Sequence, residues 1–204
     1  MKSAPLLSIV LFLCISFSSY AQEYSYTHYD IADGLAGSVV YCITQDKDGF
    51  LWMGTETGVS RFDGTHFKTF TVADGLPDIE VLKMFTDSKG RVWMAPFRKS
   101  VCYYYRGMIH NQDNDSMLGR IRLRENVEDF AEDANGDILI LEQTRLHWLE
   151  AGGKVREIDS IGSSPMRNAM TACRSASGHF LVQTDRNIYE FSGRSSRLIY
   201  SFPM

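Results

Sequence analysis

The feature that most constrains the fold is a unit that recurs four times along the chain. The segment YCITQDKDGFLWMGT (41–55) aligns with LKMFTDSKGRVWMAP (82–96) at an offset of 41 residues. DFAEDANGDILIL (129–141) and TACRSASGHFLVQ (171–183) repeat it more faintly. The turn glycines of the four copies are spaced 41, 46 and 42 residues apart. A period of this length indicates one supersecondary unit per repeat, with each unit stacked on its neighbours.

Each unit has the pattern of four short strands. In the first copy, β-branched and aromatic residues alternate with polar ones in SVVYCITQ, FLWMGT, VSRF and HFKTF, and Gly-containing turns separate these runs. No segment shows sustained helical periodicity. Four antiparallel strands per repeat of this length are typical of a propeller blade. We therefore predict an all-β chain, a partial β-propeller of about four four-stranded blades that forms an open arc.

The repeats also predict the domain boundaries. The propeller repeats occupy residues 22–204, and the segment 24–31 is predicted to be an outer closing strand, because SYTHYDIADGL aligns with FKTFTVADGL. The blades are predicted at about 36–70, 77–110, 120–150 and 166–202.

The first 21 residues have the pattern of a secretory signal peptide. Lys2 precedes an apolar run, Leu6–Phe17, and Ser19-Tyr20-Ala21 is a small-x-small site, so cleavage is expected between Ala21 and Gln22. The alternative is a membrane anchor that stays in place, although the run is short for a span. Export predicts a periplasmic or otherwise extracytoplasmic location.

The Asp-x-x-Gly stretch of each repeat is predicted to be a hairpin turn and not a metal loop. An Asp at the first position accepts backbone N–H bonds, and a Gly at the fourth adopts the left-handed conformation. The position before the Gly is Asp, Lys, Asn or Ser in the four copies, and a calcium loop would lose a ligand there. The predicted turn residues are Asp46, Gly49, Asp87, Gly90, Asp133, Gly136 and Gly178. No metal and no cofactor are expected.

Charge and cysteine content exclude several classes of protein. The net charge is −4, or −5 without Lys2, and no basic patch suggests nucleic acid. Cys42, Cys102 and Cys173 form no Cys-x-x-Cys motif, so we interpret them as small buried hydrophobic residues, with one disulfide as the alternative.

Trp52 and Trp93 occupy the same position in strand two of their repeats. They could form a sugar-stacking platform, but repetition at a fixed position favours packing between blades. Met53 and Met94 are then expected to face the other side of the sheet.

Two segments supply candidate ligand-binding residues. In VCYYYRG (101–107), Tyr side chains on alternating faces and the adjacent Arg could bind a sugar, or could belong to an ordinary strand. In GRIRLRE (119–125), three Arg side chains on one strand face could bind an anionic ligand, or could form a solvated edge. A polar inserted loop precedes them, at roughly 111–119. The candidates are Tyr103, Tyr105, Arg106, Arg120, Arg122 and Arg124.

No Gly-x-Ser-x-Gly elbow, phosphate loop or dinucleotide fingerprint occurs. The chain is therefore predicted not to be an enzyme. The alternative is a secreted propeller enzyme that acts on polysaccharide, with carboxylates drawn from distant blades.

The segment from Asp33 to Phe70 strongly resembles the two-component regulator propeller repeat, which reads D-G-L, then D-x-x-G-x-L-W-x-G-T-x-x-G-L-x-R-F-D-G, then F. The second copy departs after Trp93, where Ala95-Pro96 replaces Gly-Thr and YYYRG replaces RFDG. The third and fourth copies keep little beyond the turn and the apolar strands.

The resemblance implies the extracytoplasmic sensor region of Bacteroidota-type sensor or hybrid histidine kinases. It implies signal input to a two-component system, a carbohydrate ligand, and two further partners: more propeller blades and a membrane-bound histidine kinase in a full-length parent. On this basis the chain is expected to be a truncated N-terminal part of such a sensor.

Overall fold

The computed structural model describes residues 25–193 and 195–203, and they form an all-β structure of four four-stranded antiparallel sheets and one small hairpin. This confirms the predicted fold class. The predicted signal peptide and its cleavage site at Ala21 and Gln22 lie outside the described residues.

Each sheet is a blade in which consecutive strands are neighbours. Blade one contains β1 (Val40–Gln45), β2 (Leu51–Thr55), β3 (Gly58–Phe62) and β4 (Phe67–Phe70). Blade two contains β5 (Val81–Thr86), β6 (Val92–Pro96), β7 (Cys102–Tyr105) and β8 (Met108–His110). Blade three contains β9 (Asp129–Glu132), β10 (Ile138–Leu141), β11 (Leu146–Leu149) and β12 (Val155–Ile158). Blade four contains β15 (Ala169–Arg174), β16 (Phe180–Thr184), β17 (Asn187–Ser192) and β18 (Ser195–Ser201).

Short elements lie between the blades. A two-stranded hairpin, β13 (Ser160–Ile161) and β14 (Ser164–Pro165), connects blades three and four. Short 3-10 helices lie at Ile31–Asp33, Val72–Asp74 and Leu118–Arg120.

The turn between the first two strands of a blade is tied to a buried tryptophan. One oxygen of Asp46 accepts the N–H groups of Asp48 and Phe50 at 3.0 Å each, and the other accepts Trp52 Nε1 at 2.7 Å. Gly49 closes the turn with φ +90°, a conformation that strains any residue with a Cβ. Blade two repeats the bond, because Trp93 Nε1 donates to Asp87 at 2.8 Å. The same carboxylate therefore shapes the turn and orients the ring.

Blade three keeps this arrangement with different residues. Leu139 takes the Trp register position, and Trp148 lies directly opposite it on the neighbouring strand. The Trp148 indole donates to Asp137 at 2.8 Å. Because cross-strand neighbours share a sheet face, Trp148 fills the same space as Trp52 and Trp93 do in their blades.

Each blade packs its forward face, defined as the side toward the following blade, on the back face of that blade. Three apolar clusters result. The first contains Trp52 and Phe70 of blade one with Val81, Val92 and Met94 of blade two. The second joins Trp93 and Tyr103 to Phe130, Ile138 and Ile140, and the third joins Leu139 and Trp148 to Ala172, Phe180 and Val182. The prediction that Trp52 and Trp93 belong to the core is confirmed, since neither is exposed.

The two end faces of the arc carry exposed apolar side chains. Ile43 and Leu51 lie on the back face of blade one and are 63% and 38% exposed. Tyr200, on the forward face of blade four, is 50% exposed. Within the described residues, no blade packs on either face.

The structure differs from three expectations. The third sheet runs from residue 129 to 158, later than the predicted 120–150, because residues 121–128 form an irregular link. Residues 25–30 form no strand; Tyr29 instead packs on Phe62 with ring centroids 4.9 Å apart, so the closing strand stays a prediction. All three described cysteines are free; Cys102 is buried as expected, Cys42 is half-buried, and Cys173 is exposed.

We predict that Trp93→Ala lowers the free energy of unfolding by about 3–5 kcal/mol, because it leaves a cavity in the core between blades two and three and an unpaired Asp87 oxygen. Denaturant unfolding followed by circular dichroism measures this. Phe97→Ala is the control, because that ring is 53% exposed, and it should cost about 0.5 kcal/mol or less. Equal losses in the two variants would show that the ring is not a core residue.

Candidate functional site

A cleft of about 300 Å³ lies where the β1–β2 turn of blade one meets the neighbouring turns of blade two. We call it the basic cleft. It is lined by Asp46, Lys47, Asp48, Arg61, Lys89, Gly90, Tyr104, Tyr105, Arg106 and Gly107. Both blades contribute, because the stacking of adjacent blades brings their equivalent turns side by side. The Lys47 side chain accordingly lies against Gly90.

Arg106 lies at the tip of the tight β7–β8 hairpin. Arg106 and Gly107 have φ of +49° and +89°, as a two-residue turn of the primed type requires. This conformation favours Asn or Gly, and an Arg there costs about 1 kcal/mol. Its guanidinium lies 5.0 Å from the centroid of the Tyr105 ring. The hairpin thus presents a charged group beside an aromatic face at the edge of the cleft.

Arg61 on β3 supplies the second guanidinium of the cleft. Its central carbon lies 4.4 Å from the Phe50 ring centroid and 5.7 Å from that of Trp52. Its Nη1 is 3.4 Å from the Tyr104 hydroxyl. The side chain is half-buried and lies against aromatic rings. Its position is therefore largely fixed before any ligand arrives.

Positive charge exceeds negative charge in the basic cleft. Lys47, Arg61, Lys89 and Arg106 line it together with only two carboxylates. Asp46 is already engaged by the turn and by Trp52. Among the described residues, no ion pair joins any of the four cations to a carboxylate. A concave site with aromatic walls and free donors is suited to a small polar ligand.

The three tyrosines of the YYY run point to alternating sides, and only two reach the basic cleft. Tyr103 is buried against Trp93 and His110, and its hydroxyl donates to Asp115 at 2.5 Å. Burial and this bond raise the pKa of Tyr103. It anchors the inserted loop to blade two. The structure thus brings together Tyr105 and Arg106 of the predicted set but not Tyr103.

The three arginines of GRIRLRE do not share a strand face. Arg120 ends a 3-10 helix and donates to the Gly153 carbonyl at 2.6 Å, while Arg122 donates to the Gly119 carbonyl at 2.5 Å. Arg124 is 3.9 Å from Glu157 and largely exposed. The expectation of one strand face was wrong, because the link from 121 to 128 is irregular and turns each side chain separately. Their role in ligand binding stays a prediction.

Sequence reasoning missed five side chains of the basic cleft. Tyr104 stands in a run of three tyrosines that the sequence alone does not distinguish. The others lie in separate stretches of the sequence: Lys47, Asp48, Arg61 and Lys89. One signal was available. Aligned turns of adjacent blades lie together on one rim, so the variable turn positions of the first two repeats could have been read as one surface.

A buried acid holds the irregular link against blade three. Glu142 is fully buried, and its Oε2 accepts the backbone N–H groups of Arg124 and Glu125 at 2.7 and 2.6 Å. Its Oε1 lies 2.8 Å from His147 Nε2. Burial alone would raise the pKa of Glu142, but the bonds from His147 and the two backbone groups outweigh it, so the pKa lies below its ordinary value.

Blade four carries a polar cluster of hydroxyl, imidazole and carboxylate groups. Ser192 Oγ lies 3.1 Å from His179 Nε2, and His179 Nδ1 lies 3.7 Å from Glu190. Ser177 bridges the last two, at 3.2 Å from the imidazole and 2.5 Å from the carboxylate. Bonds from Ser177 and Arg197 lower the pKa of Glu190 to about 2. A serine hydroxyl beside a histidine can act as an activated nucleophile, but here the acid reaches the imidazole only through Ser177.

The opposite rim contains another concavity. A cavity of about 380 Å³ lies beside the segment between β14 and β15, lined by residues that include Arg167, Asn168, Asp185, Arg186 and Tyr189. Asn168 donates to Asp185 at 3.1 Å across it. Its lining contains two cations and one acid, so the excess of positive charge is smaller than in the basic cleft.

Two features are absent from the described residues. No helix among them is long and apolar enough to cross a membrane. In the same part of the chain, no group of three or more His, Cys, Asp or Glu side chains is arranged to hold a metal ion.

Comparison with known proteins places this geometry in context. Residues 34–57 match the two component regulator propeller family, which confirms the resemblance seen in the sequence. Histidine kinase P4 of Formosa agariphila is 38% identical over 72 residues, which are 34% of this chain and 5% of that protein. The chain therefore spans only a small part of the kinase that it matches.

Solved structures share the fold. The extracellular domain of the hybrid two-component system BT3049 from B. thetaiotaomicron superposes with a TM-score of 0.68 at 22% identity, over 85% of this chain and 26% of that one. A streptogramin B lyase superposes with a TM-score of 0.64 at 18% identity, over 83% of this chain and 57% of that one. At these identities the likeness shows the propeller fold alone.

We predict that Glu142→Gln destabilises the protein at pH 7 by about 3 kcal/mol, because it breaks a buried hydrogen-bonded pair. The folded pKa is depressed, so the ionised group contributes stability above its unfolded value of 4.5 and loses it as pH falls further. The variant should therefore lose less stability than wild type between about pH 5 and pH 3.

Urea unfolding at several pH values tests this. Glu128→Gln is the control for loss of one carboxylate, because Glu128 meets only the Gln143 amide at an exposed site. Its pH profile should parallel wild type. A Glu142→Gln profile that also runs parallel would contradict the prediction.

Proposed function

Because the chain carries a two-component regulator propeller repeat, we propose that it is the sensory, ligand-binding part of a two-component system. The observation that carries the proposal is the basic cleft, whose β1–β2 turn lies inside the matched residues 34–57. A ligand held there touches two blades at once. Binding would then alter the angle between the blades, and a propeller joined to a kinase could pass that change on.

The ligand proposed for the basic cleft is a carbohydrate. Tyr104 and Tyr105 offer aromatic surface, and Arg61 and Arg106 offer planar donors to hydroxyl groups. This is the combination by which proteins hold sugar rings. The remaining donors at the edge come from Lys47 and Lys89.

The proposed partners are further propeller blades and a membrane-bound histidine kinase in a full-length parent. The exposed Ile43, Leu51 and Tyr200 on the end faces support the first of these, because equivalent faces inside the arc are buried against a neighbouring blade. The matched histidine kinase supports the second. An extracytoplasmic location belongs to the same proposal, and the extracellular domain of BT3049 supports it.

A second candidate is a propeller enzyme that acts on polysaccharide. The Ser192–His179–Glu190 arrangement favours it, since a histidine between a hydroxyl and a carboxylate is the usual means of activating a serine. Against it, Glu190 is paired with Arg197 at 2.9 Å, and at 3.7 Å it is too far from the His179 imidazole for a hydrogen bond. The sensory role remains the better supported one.

We predict that the protein binds an oligosaccharide without converting it. A panel of neutral and acidic oligosaccharides, screened by thermal unfolding and then by calorimetry, should give at least one ligand with a dissociation constant near or below about 100 μM. Tyr105→Ala should weaken binding by about tenfold or more. Tyr26→Ala is the matched control, because that ring is 89% exposed and does not line the basic cleft.

Chromatography of the same samples separates the two candidates. Recovery of intact ligand after long incubation supports the sensory role. If product forms, and the Ser192→Ala variant no longer forms it, the enzyme proposal is supported and the sensory proposal is contradicted. Absence of any saccharide ligand in the panel would contradict the carbohydrate proposal.

A further inference from the structure

The geometry points to an acidic group on the ligand of the basic cleft: we infer that a carboxylate or sulfate is held between Arg61 of blade one and Arg106 of blade two. The inference rests on the proposed function, which it deepens by naming the ligand class. It also assigns the cleft a mechanical role, because an anion placed there draws together two positively charged blade edges.

The charge distribution is the first argument. Elsewhere in the protein, half-buried and buried arginines meet carboxylates: Arg91 pairs with Asp87 at 2.5 Å, Arg156 with Glu150 at 2.9 Å, and Arg145 with Glu157. Four cations line the basic cleft, and within the described residues none has such a partner. The excess stands out in a chain whose net charge is −4.

The local geometry is the second argument. Arg61 is half-buried and its guanidinium carbon lies 4.4 Å from the Phe50 ring centroid, so this group has lost part of its water without gaining a counter-charge. A neutral ligand would remove still more water from the guanidinium, and no negative charge would offset that desolvation cost. An acidic oxygen pair that accepts from the guanidinium in a forked geometry would offset it.

Strain at Arg106 is the third argument. The hairpin tip holds an arginine at φ +49°, where Asn or Gly would fit at lower cost. The Arg side chain stacks on Tyr105 but forms no ion pair among the described residues. A residue kept in an unfavoured conformation, with its charged group directed to a cleft, is expected to contact a ligand.

The cations of the basic cleft are divided between two blades, and this division determines how binding would affect the joint between them. Blade one contributes Lys47 and Arg61, and blade two contributes Lys89 and Arg106. Like charges across this joint repel one another when the cleft is empty. An anion between them removes the repulsion, so binding should tighten the joint between the blades.

The test uses the full chain and matched pairs of probes that differ in charge. Tri-galacturonate is compared with its uncharged methyl ester, and a sulfated disaccharide with its unsulfated counterpart, by calorimetry at low and high NaCl. We expect one acidic probe to bind at least about tenfold more tightly than its neutral match. Its affinity should fall as salt rises, because exposed charges contribute.

Variants then locate the site. Arg61→Gln and Arg106→Gln should each lower the affinity for the acidic probe by about tenfold or more. Arg61→Lys keeps the charge but loses the forked pair of donors, so its affinity should lie between those of wild type and Arg61→Gln. Arg98→Gln is the matched control, because Arg98 is 76% exposed and lies on the opposite rim. It should bind like wild type. Arg106 is exposed at a turn, so its variant should fold even if the Arg61 variants do not.

The stability of the empty protein gives an independent readout. Lys89→Gln should leave the melting temperature unchanged or raise it, because it relieves repulsion, whereas a purely structural lysine would lower it on removal. Preference for carboxylate or for sulfate identifies the acidic group, and either supports the inference.

Three results would overturn the inference. One is equal binding of a neutral probe and its acidic match, which would leave the sensory proposal standing with an uncharged ligand. Another is acidic binding that survives both Arg61→Gln and Arg106→Gln, which would place the site elsewhere. The third is failure of every acidic probe to bind while a neutral saccharide from the wider panel does.

Discussion

The bond from a buried tryptophan to a turn carboxylate is the interaction on which the rest of this structure depends. Asp46 and Asp87 each shape a β1–β2-type turn with one oxygen and orient an indole with the other. The ring then fills the wedge between blades, so the position of a rim turn and the packing of the core are set together. Blade three shows that the geometry matters more than the position in sequence, because Trp148 on β11 and Asp137 in the β9–β10 turn restore the bond from different positions.

The basic cleft follows from that constraint. In blades one and two the turn is fixed relative to its own core, so the two turns lie side by side on one rim and their side chains line one concavity. Arg61 is held on the aromatic rings of the same core that binds blade one to blade two. A ligand that binds this guanidinium is therefore in direct contact with a residue of the packed blade interface. That gives a physical route from binding to a change in propeller geometry.

Prediction from sequence succeeded where a local pattern was repeated and failed where it was not. The strands, the glycine turns and the burial of Trp52 and Trp93 follow from a period that four copies enforce. The face of Arg120, Arg122 and Arg124 could not be predicted, because an alternating pattern resembles a strand whether or not a partner strand is present. Glu142 supplies what the sequence did not reveal: it binds the backbone of that link and holds it in an irregular path.

The sequence by itself determined the class of fold, the length of each unit and the character of its turns, because these depend on neighbours within about forty residues. Only the tertiary structure decided which tyrosine is buried, which arginines have carboxylate partners, and which cations meet across the first joint. Lys47, Arg61, Lys89 and Arg106 are distant in sequence and belong to two sheets. Their proximity arises from the stacking of blades, which is a packing outcome that no single repeat encodes.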